Sequence, residues 1–452
     1  MSAAPNLHHM QVPGLTQDDR PSVLETVGDT GLSGEFITDL LLKVLYIQGA
    51  RSGLQVMEVV RLPFQFVDDR LLDLQQRRMV EVRGTSGLSR AGYIFDLTGA
   101  GRDRARDALT ANQYVGPAPV PLDQYRAWTL KQSITNARVT RDMVREGFRA
   151  LVLEDAMLEM LGPAINSAKS LFLYGAPGNG KSFISETIAG LLGGALYIPF
   201  AIEVDGQILQ LFDPVYHHPI RHEPESISRG HDPGEWLKPI EDHDRRFIKV
   251  ERPVVMVGGE LTLDQLDLQY DPFTKMYQAP FQLKSNGGVL ILDDFGRQRT
   301  PPRDLLNRWI VPLEKRIDFL SLHTGGKFPV PFDTLLIFAT NLAPADLVEE
   351  AFLRRIHYKI HVLGPDPEEY REIFRRCCQD RDIAYQEAAV QHIYARYYGQ
   401  MSIQPRACHP RDILDHLLDI SRFLEVEHRL STELLDRACQ SYFLDDSTAA
   451  GS

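Results

Sequence analysis

A glycine-rich loop that ends in a lysine and a serine is the clearest chemical feature of the sequence. Gly175-Ala-Pro-Gly-Asn-Gly-Lys-Ser182 fits the pattern GxxxxGK[ST] at every defined position, after the apolar run Ser170–Tyr174 and before a predicted helix. Glycines let backbone N–H groups approach phosphate oxygens, and the N-terminal end of a helix favours an anion. The pattern predicts a binding site for nucleotide phosphates. The residues predicted to form it are Gly175, Ala176, Pro177, Gly178, Asn179, Gly180, Lys181, Ser182 and Phe183.

Two adjacent carboxylates stand at the end of a second apolar run. In Gly287–Asp294 (GGVLILDD), four apolar residues lead directly into Asp293 and Asp294. Ser182 is predicted to ligate Mg²⁺, and Asp293 to hold the hydration shell of the metal. Asp294 is predicted to polarise the attacking water, while Lys181 reaches the β- and γ-phosphates. The expected chemistry is Mg-dependent hydrolysis of ATP.

The glycine-rich loop and the acidic pair together resemble the Walker A and Walker B motifs of the AAA+ ATPases. The Walker B motif of that family usually ends in Asp-Glu, whereas this one ends in Asp293-Asp294. Aspartate is one methylene shorter than glutamate, so its carboxylate lies further from the water. Two hypotheses follow: an oligomeric ATPase that acts as a remodelling motor or chaperone on a macromolecular client, and an ATP-operated switch that hydrolyses slowly or not at all.

Two later segments follow in the order expected of that family. Thr334–Asn341 (TLLIFATN) resembles the sensor 1 strand, which implies that Asn341 orients the water against the γ-phosphate. Ala351–Ile356 (AFLRRI) resembles the arginine-finger segment. This second resemblance implies that Arg355, or Arg354 as second choice, enters the site of a neighbouring subunit and stabilises charge there.

A further motif lies near the C-terminal end of the chain. His409-Pro-Arg-Asp412 opens a predicted helix and resembles sensor 2, which implies that Arg411 contacts the γ-phosphate from a lid. Arg406 is predicted to be a surface residue. The whole resemblance runs from about residue 127 to residue 443. It implies an α/β fold: a P-loop core with a parallel sheet and a helical lid, Mg-ATP at their junction, and a ring-shaped homo-oligomer, usually a hexamer.

Other elements of the core are predicted from apolar patterning. The runs LFLYG, ALYIPF, PVVMV, VLILDD and TLLIFAT are predicted to be buried strands of the parallel sheet. Leu320–Phe332 carries Gly325-Gly326 between two alternating stretches, which predicts a tight hairpin. A hairpin before sensor 1 resembles the pre-sensor-1 branch of AAA+ proteins, which includes chaperones, unfoldases, DNA motors and transcription activators. An ordinary surface hairpin is the alternative.

A long insertion, Asp205–Leu283, separates the glycine-rich loop from the acidic pair. Its histidines favour a solvated loop over a metal site, because Pro219 interrupts the only pair with i,i+4 spacing. Its aromatic residues either grip a client in the pore of a ring or belong to the core. The histidines are His217, His218, His222, His231 and His243, and the aromatic residues are Tyr270, Phe273, Tyr277 and Phe281.

Residues 31–114 resemble a winged-helix domain in the order of their predicted elements: three helices, two strands joined by a loop, and a closing helix. The third helix is the usual DNA-reading element of that fold, and it carries Asp68, Asp69 and Asp73 beside Arg70. These carboxylates would repel phosphates, so recognition of a protein is favoured over DNA. A basic set elsewhere keeps a DNA-binding regulator as an alternative: Arg83, Arg90, Arg102, Arg104 and Arg106.

The predicted organisation has five parts. They are a loose arm (1–30), the winged-helix-like unit (31–114), a semi-rigid Pro-rich linker (115–126), the α/β ATPase domain (127–364) and the helical lid (365–445).

The amino-acid composition limits the class of protein to which this chain can belong. Hydrophobic residues make up 43% of the chain and charged residues 24%, which excludes a disordered or fibrous protein. The net charge of −12 argues against a general nucleic-acid binder. No apolar run reaches the ~18–20 residues of a membrane span, and the start of the chain lacks the pattern of a signal peptide. With four cysteines outside CxxC pairs, a cytoplasmic protein with free thiols is expected.

Overall fold

The computed structural model describes residues 20–86, 90–220, 243–343, 353–400 and 403–443. Over these ranges the helices are α1 (Gly34–Gln48), α2 (Gly53–Val60), α3 (Phe64–Gln76), α4 (Gly99–Ala111), α5 (Leu122–Lys131), α6 (Arg141–Gly147), α7 (Asp155–Ser167), α8 (Lys181–Leu192), α9 (Phe281–Lys284), α10 (Pro302–Lys315), α11 (Pro367–Gln379), α12 (Glu387–Ile393), α13 (His409–Phe423) and α14 (Thr432–Tyr442). The strands are β1 (Arg51–Ser52), β2 (Val80–Thr85), β3 (Tyr93–Leu97), β4 (Val120–Pro121), β5 (Ser170–Tyr174), β6 (Ala195–Pro199), β7 (Ala201–Val204), β8 (Gln207–Gln210), β9 (Phe247–Glu251), β10 (Val254–Val257), β11 (Gln269–Asp271), β12 (Met276–Gln278), β13 (Val289–Leu292), β14 (Ile317–Ser321), β15 (Lys327–Pro331), β16 (Leu335–Thr340) and β17 (Tyr358–His361).

The centre of the molecule is a parallel sheet in which the described residues form five strands. Their spatial order is β10, β13, β16, β5 and β17, and every neighbouring pair is parallel. One face packs against α7 and α8 and the other against α10, so the central strands are apolar throughout. Parallel strands share their carboxyl edge, and the segments that follow β5, β13 and β16 therefore meet there. The predicted fold class, an α/β P-loop core with a parallel sheet and a helical lid, is confirmed.

One of the five predicted core strands belongs elsewhere, and this part of the prediction is wrong. The run ALYIPF forms β6, which pairs antiparallel with β9 in a separate two-stranded sheet. The free edge of β6 is bonded by side chains of α5 and the turn after it: Trp128 Nε1 and Gln132 Nε2 both donate to the Tyr197 carbonyl, at 2.9 and 2.7 Å. A buried apolar run shows only that a segment is covered, and the partners of its backbone decide which sheet it joins.

Three strands of the insertion join β7 and β4 in a second sheet, the insertion sheet, whose order among the described residues is β11, β12, β8, β7 and β4. The strand β4 comes from the Pro-rich linker, where Val120 pairs in parallel register with Ile202. The linker is also bonded to the N-terminal unit, because the Ala118 N–H donates to the Val60 carbonyl at 2.7 Å. The predicted spacer is therefore an integral part of the sheet. Its boundaries as a linker stay a prediction.

The N-terminal helices and hairpin follow the predicted order. Helix α3 starts directly after Pro63 and buries Val67, Leu71 and Leu74, and β2 and β3 pair antiparallel. The core of this unit also contains Ala201 and Ile208 of the insertion sheet. The unit therefore packs firmly on the insertion. Its resemblance to a winged helix stays a prediction.

A buried ion pair joins the N-terminal unit, the linker and the insertion. Arg246 and Asp244 are 1% and 4% exposed, and Nη2 of Arg246 lies 2.8 Å from Oδ2 of Asp244. The same guanidinium donates to the carbonyls of Thr30 and Pro119, at 2.8 and 3.3 Å, and to Oε1 of Gln124 at 3.1 Å. These bonds satisfy the N–H donors of the buried guanidinium and connect the three segments.

Two further elements complete the core. The predicted hairpin is confirmed: β14 and β15 pair antiparallel, and their turn is closed by a bond from the Leu322 N–H to the Gly326 carbonyl at 2.8 Å. The lid consists of α11 to α14 around its own apolar core. No helix within the described ranges combines the length and apolar character of a membrane span.

Candidate nucleotide-binding site

The glycine-rich loop lies between β5 and α8, at the carboxyl edge of the parallel sheet. Gly175, Gly178 and Gly180 have φ values of 143°, 85° and 82°, a region that residues with a Cβ rarely adopt. A Cβ on Gly175 would also stand 2.3 Å from the Val362 carbonyl oxygen. Glycine is thus required by both backbone conformation and close packing. The loop leads into α8, whose N-terminal end favours an anion.

Lys181 is held inside this loop. Its Nζ donates to the carbonyls of Gly175 and Ala176, both at 2.9 Å, and the residue is 7% exposed. Burial lowers the pKa of the Lys181 ammonium, and the nearby carboxylates of Asp294 and Asp293 act in the opposite direction. The ammonium is therefore held within the loop by carbonyl groups of the chain itself.

Ser182 and Asp293, the two residues predicted to hold Mg²⁺, are hydrogen-bonded to each other. The Ser182 hydroxyl lies 3.0 and 2.8 Å from the two carboxylate oxygens of Asp293. One hydroxyl and one carboxylate supply hard oxygen donors, which fit Mg²⁺ because that ion keeps waters and phosphate oxygens as its other ligands. The donor chemistry of the pair therefore fits a magnesium ion, which these two side chains would hold.

Asp294 and Asn341 lie next to each other at the same edge. Nδ2 of Asn341 donates to Oδ1 of Asp294 at 3.1 Å. Asp294 adopts φ 47°, a left-handed conformation in which aspartate and asparagine are the most readily accepted residues after glycine. The buried Gln298 supports this turn, with Nε2 at 3.1 and 3.3 Å from the carbonyls of Asp293 and Asp294. Sequence reasoning missed Gln298, which bears no motif of its own.

The two candidate trans-acting arginines differ in their surroundings. Nε of Arg355 lies 2.6 Å from Oε1 of Glu314 on α10, and the Arg355 side chain is 19% exposed. Arg354 is exposed to solvent. Ala351 and Phe352, the first residues of the motif, lie outside the described residues. Of the two, Arg354, the second choice from the sequence, is therefore the more exposed, and the role of either arginine stays a prediction.

The lid touches the glycine-rich loop directly. The Cys408 N–H donates to the Gly178 carbonyl at 2.9 Å, and the Ala407 N–H donates to Oδ1 of Asn179 at 3.4 Å. Within the described part of the chain, the side chain of Arg411 is bonded to Asp412 at 2.9 Å and not to the glycine-rich loop. Among the described residues, the segment before α13 forms the contact between the lid and the glycine-rich loop. The contact of Arg411 with the γ-phosphate stays a prediction.

His409 is a buried histidine of the lid. It is 3% exposed, and its Nδ1 lies 2.9 Å from the Tyr398 hydroxyl. Burial lowers the pKa of His409 to about 4, and the charge of Arg406 adds to the effect. As the pH falls, the unfolded chain therefore takes up a proton at this position before the folded chain does. The contribution of the neutral His409 side chain to folding stability is complete above pH 6.5 and is lost as the pH falls towards 4.

We expect the unfolding free energy to fall by about 3 kcal/mol over that range because of this one group. Urea unfolding of the full chain at several pH values between about 7.5 and about 4.5 measures the slope. His409→Asn is the control, because its amide oxygen can accept the Tyr398 bond without titrating. Equal slopes for the two chains would contradict the assignment.

The histidines of the insertion do not form a metal site in the described part of the chain. No group of three or more His, Cys, Asp or Glu side chains suited to a metal occurs there. His217 is buried instead: its Nδ1 accepts from the Asp213 N–H at 2.9 Å and its Nε2 lies 2.8 Å from the Lys284 carbonyl. His222 and His231 lie outside the described residues.

The aromatic residues of the insertion separate into packed and exposed groups. Tyr277 is 1% exposed, and its hydroxyl bonds His323 at the tip of the β14–β15 hairpin. Tyr270 stacks on the same imidazole, with ring centroids 3.9 Å apart. Phe281 packs partly against the core, whereas Phe273 is 83% exposed. Phe273 alone of the four has the exposure that gripping a client requires.

Comparisons with known proteins cover both the lid and the core. Residues 366–441 match the family described as "Domain of unknown function (DUF8689)". A point mutant of RuvB from Thermotoga maritima is 14% identical over 70% of this chain and 74% of its own, with a TM-score of 0.36. The T. maritima RuvB Holliday junction branch migration motor is 15% identical over 65% and 71%, also with a TM-score of 0.36.

NtrX from Brucella abortus, in complex with ATP, is 13% identical over 72% of this chain and 63% of its own, with a TM-score of 0.38. No curated protein matches the sequence. The α/β P-loop architecture described above follows from the sheet and loop of this chain itself.

Proposed function

We propose that this protein is a Mg-dependent ATPase of the AAA+ class. The observation that carries the proposal is the convergence of Lys181, the Ser182–Asp293 pair and the Asp294–Asn341 pair at one edge of the parallel sheet. A cation, a metal-binding pair and a water-polarising pair are the parts that phosphoryl transfer requires. The lid covers this edge through its bond to Gly178.

Each residue then has a distinct role. The loop N–H groups and Lys181 bind the phosphates, and Ser182 and Asp293 hold Mg²⁺, which when bound neutralises charge on the phosphate oxygens. Asp294 accepts a proton from the attacking water, and the amide of Asn341 fixes the direction of the Asp294 carboxylate. Arg354, exposed beside the core, neutralises charge in the site of a neighbouring subunit, which requires a ring-shaped homo-oligomer, most simply a hexamer.

An ATP-operated switch with slow or no hydrolysis is the second candidate. It is favoured by the short Asp294 side chain, one oxygen of which already accepts a bond from Asn341. In this case the chain still binds Mg-ATP, and the lid and insertion change position on binding rather than on hydrolysis. Steady-state phosphate release distinguishes the two candidates, since a turnover rate typical of AAA+ motors excludes the switch.

We propose a protein client, recruited partly by the N-terminal unit, and cytoplasmic action. The arginines that kept DNA binding as an alternative are paired with carboxylates. Arg90 lies 2.8 Å from Asp68, Arg104 lies 2.9 Å from Asp39, and Arg102 lies 3.3 Å from Asp96. Asp96 also pairs with Arg83, and Asp103 with Arg106. The adjacent carboxylates offset the positive charge of these arginines and would repel phosphates, so a DNA-binding regulator is disfavoured.

Lys181→Ala tests the proposed function. We expect it to weaken ATP binding and to lower phosphate release by about 100-fold or more, because the ammonium that is bonded inside the loop is removed. Lys169→Ala is the control: Lys169 is exposed just before the opposite end of β5. Wild-type protein that binds no ATP in the presence of Mg²⁺, or a Lys181→Ala chain that equals the control, would refute the proposal.

A further inference from the structure

The segment that joins α12 to α13 places an arginine over the glycine-rich loop. The backbone of Cys408 is bonded to Gly178, and a Cβ on Gly178 would lie 3.6 Å from Cδ of Arg406. The stem of Arg406 therefore lies against the loop that is expected to hold phosphates. Arg406 is half-buried there.

The guanidinium of Arg406 has no hydrogen bond or ion pair among the described residues, unlike those of Arg411 and Arg355, the arginines predicted from the sequence to act at the site. Arg411 binds Asp412, and Arg355 binds Glu314. The hydrogen bonds of Arg406 are made by its backbone: its N–H donates to Nδ1 of His409 at 3.4 Å, and its carbonyl accepts from the His409 N–H at 3.1 Å. Five N–H donors on a half-buried cation need acceptors, so a partner that is not part of the chain is expected.

The charges around Arg406 indicate the sign of that partner. The stem of Arg406 lies against Gly178, and the carbonyls of the same glycine-rich loop hold the Lys181 ammonium. Burial and then the positive charge of Arg406 lower the pKa of His409. The lid thus brings a second positive charge towards the lysine of the loop. Two cations drawn together in this way favour an anion between them, and the planar guanidinium suits phosphate oxygens.

We propose that Arg406, and not Arg411, binds the terminal phosphate of ATP from the lid of the same chain. The inference rests on the proposed function and assigns to it a residue that the sequence motif does not mark. Arg411 instead has a structural role at the start of α13, where its partner Asp412 also accepts a bond from the Tyr442 hydroxyl at 3.0 Å. Closure of the lid then depends on whether a terminal phosphate is present.

Equilibrium binding of fluorescent mant-ATP and mant-ADP to the full chain with Mg²⁺ tests this assignment. We expect Arg406→Gln, which keeps part of the stem, to weaken mant-ATP binding by about 10-fold or more and mant-ADP binding by less than about 3-fold. Arg411→Gln is the matched control and is expected to change both affinities by less than about 2-fold. Near-wild-type melting temperatures establish that each variant is folded.

Several results would overturn the assignment. One is Arg406→Gln with wild-type affinity for mant-ATP, another is an equal loss for both nucleotides, and a third is a larger effect of Arg411→Gln. If Arg406→Gln does not fold, Arg406→Lys replaces it, and an unchanged preference for mant-ATP over mant-ADP would then refute a bidentate contact. Wild-type protein that binds neither nucleotide refutes the proposed function itself, so the two failures are distinguishable.

Discussion

Replacing Asp294 by asparagine is expected to lower the rate of ATP hydrolysis by about 100-fold while ATP affinity stays within about 2-fold of wild type. Asparagine fits the same left-handed backbone and can still accept the bond from Asn341, but it cannot take a proton from water. Binding is preserved because Lys181 and the glycine-rich loop are untouched. Phosphate release and mant-ATP affinity, measured on the same preparation, separate the two effects.

Asp294→Glu is the informative companion. A longer side chain reaches the water more easily, yet glutamate is a poorer residue than aspartate at φ 47°, with a strain of about 1 kcal/mol. If the wild type is a slow switch, we expect Asp294→Glu to hydrolyse faster than wild type. If the wild type already turns over rapidly, the change is neutral or harmful. An Asp294→Asn chain with wild-type hydrolysis would remove Asp294 from the mechanism altogether.

The parts of the site that could be predicted from sequence are those in which spacing and local structure determine position. Lys181 and Ser182 follow a strand and a tight glycine turn, so their place at the start of α8 is decided within a few residues. Asp293 and Asn341 each follow a buried strand, and parallel pairing alone brings such ends together. The placement of these residues at one edge of the sheet could therefore be predicted without knowing where the lid lies.

The choice between Arg406 and Arg411 could not be made in this way. It depends on which side of a lid segment faces a loop more than 200 residues earlier in the chain, and the bond between Ala407 and Asn179 spans 228 positions. A motif identifies the start of α13 but not the direction of each side chain. The same limit explains β6, whose apolar run is compatible with either sheet until the partners of its backbone are known.

Which aromatic residues of the insertion are exposed and which are packed could likewise not be predicted from the sequence. Tyr270 and Phe273 lie three positions apart in one segment, yet Tyr270 stacks on His323 while Phe273 is 83% exposed. The difference arises from the hairpin, whose tip supplies the imidazole. The hairpin and the insertion sheet are therefore packed together as one body.

That body is joined to the N-terminal unit by Arg246, and Arg246→Met is expected to destabilise the protein by about 3–5 kcal/mol. The change leaves Asp244, 4% exposed, as a buried carboxylate without its cation. It also leaves the carbonyls of Thr30 and Pro119 without a donor. Urea unfolding of the full chain, followed by tryptophan fluorescence, measures the loss as a shift of the first transition to lower urea.

The neighbouring arginine provides a matched control for this prediction. Arg245 pairs at 2.6 Å with Glu58, whose side chain is 57% exposed, so Arg245→Met is expected to cost about 1 kcal/mol or less. The double variant Asp244→Asn/Arg246→Met removes both buried charges and is expected to recover much of the stability lost in Arg246→Met. A double variant as unstable as the single one would show that the two orphaned carbonyls, rather than the carboxylate, dominate the cost. An Arg246→Met chain as stable as Arg245→Met would mean that the buried pair does not hold the N-terminal unit on the insertion.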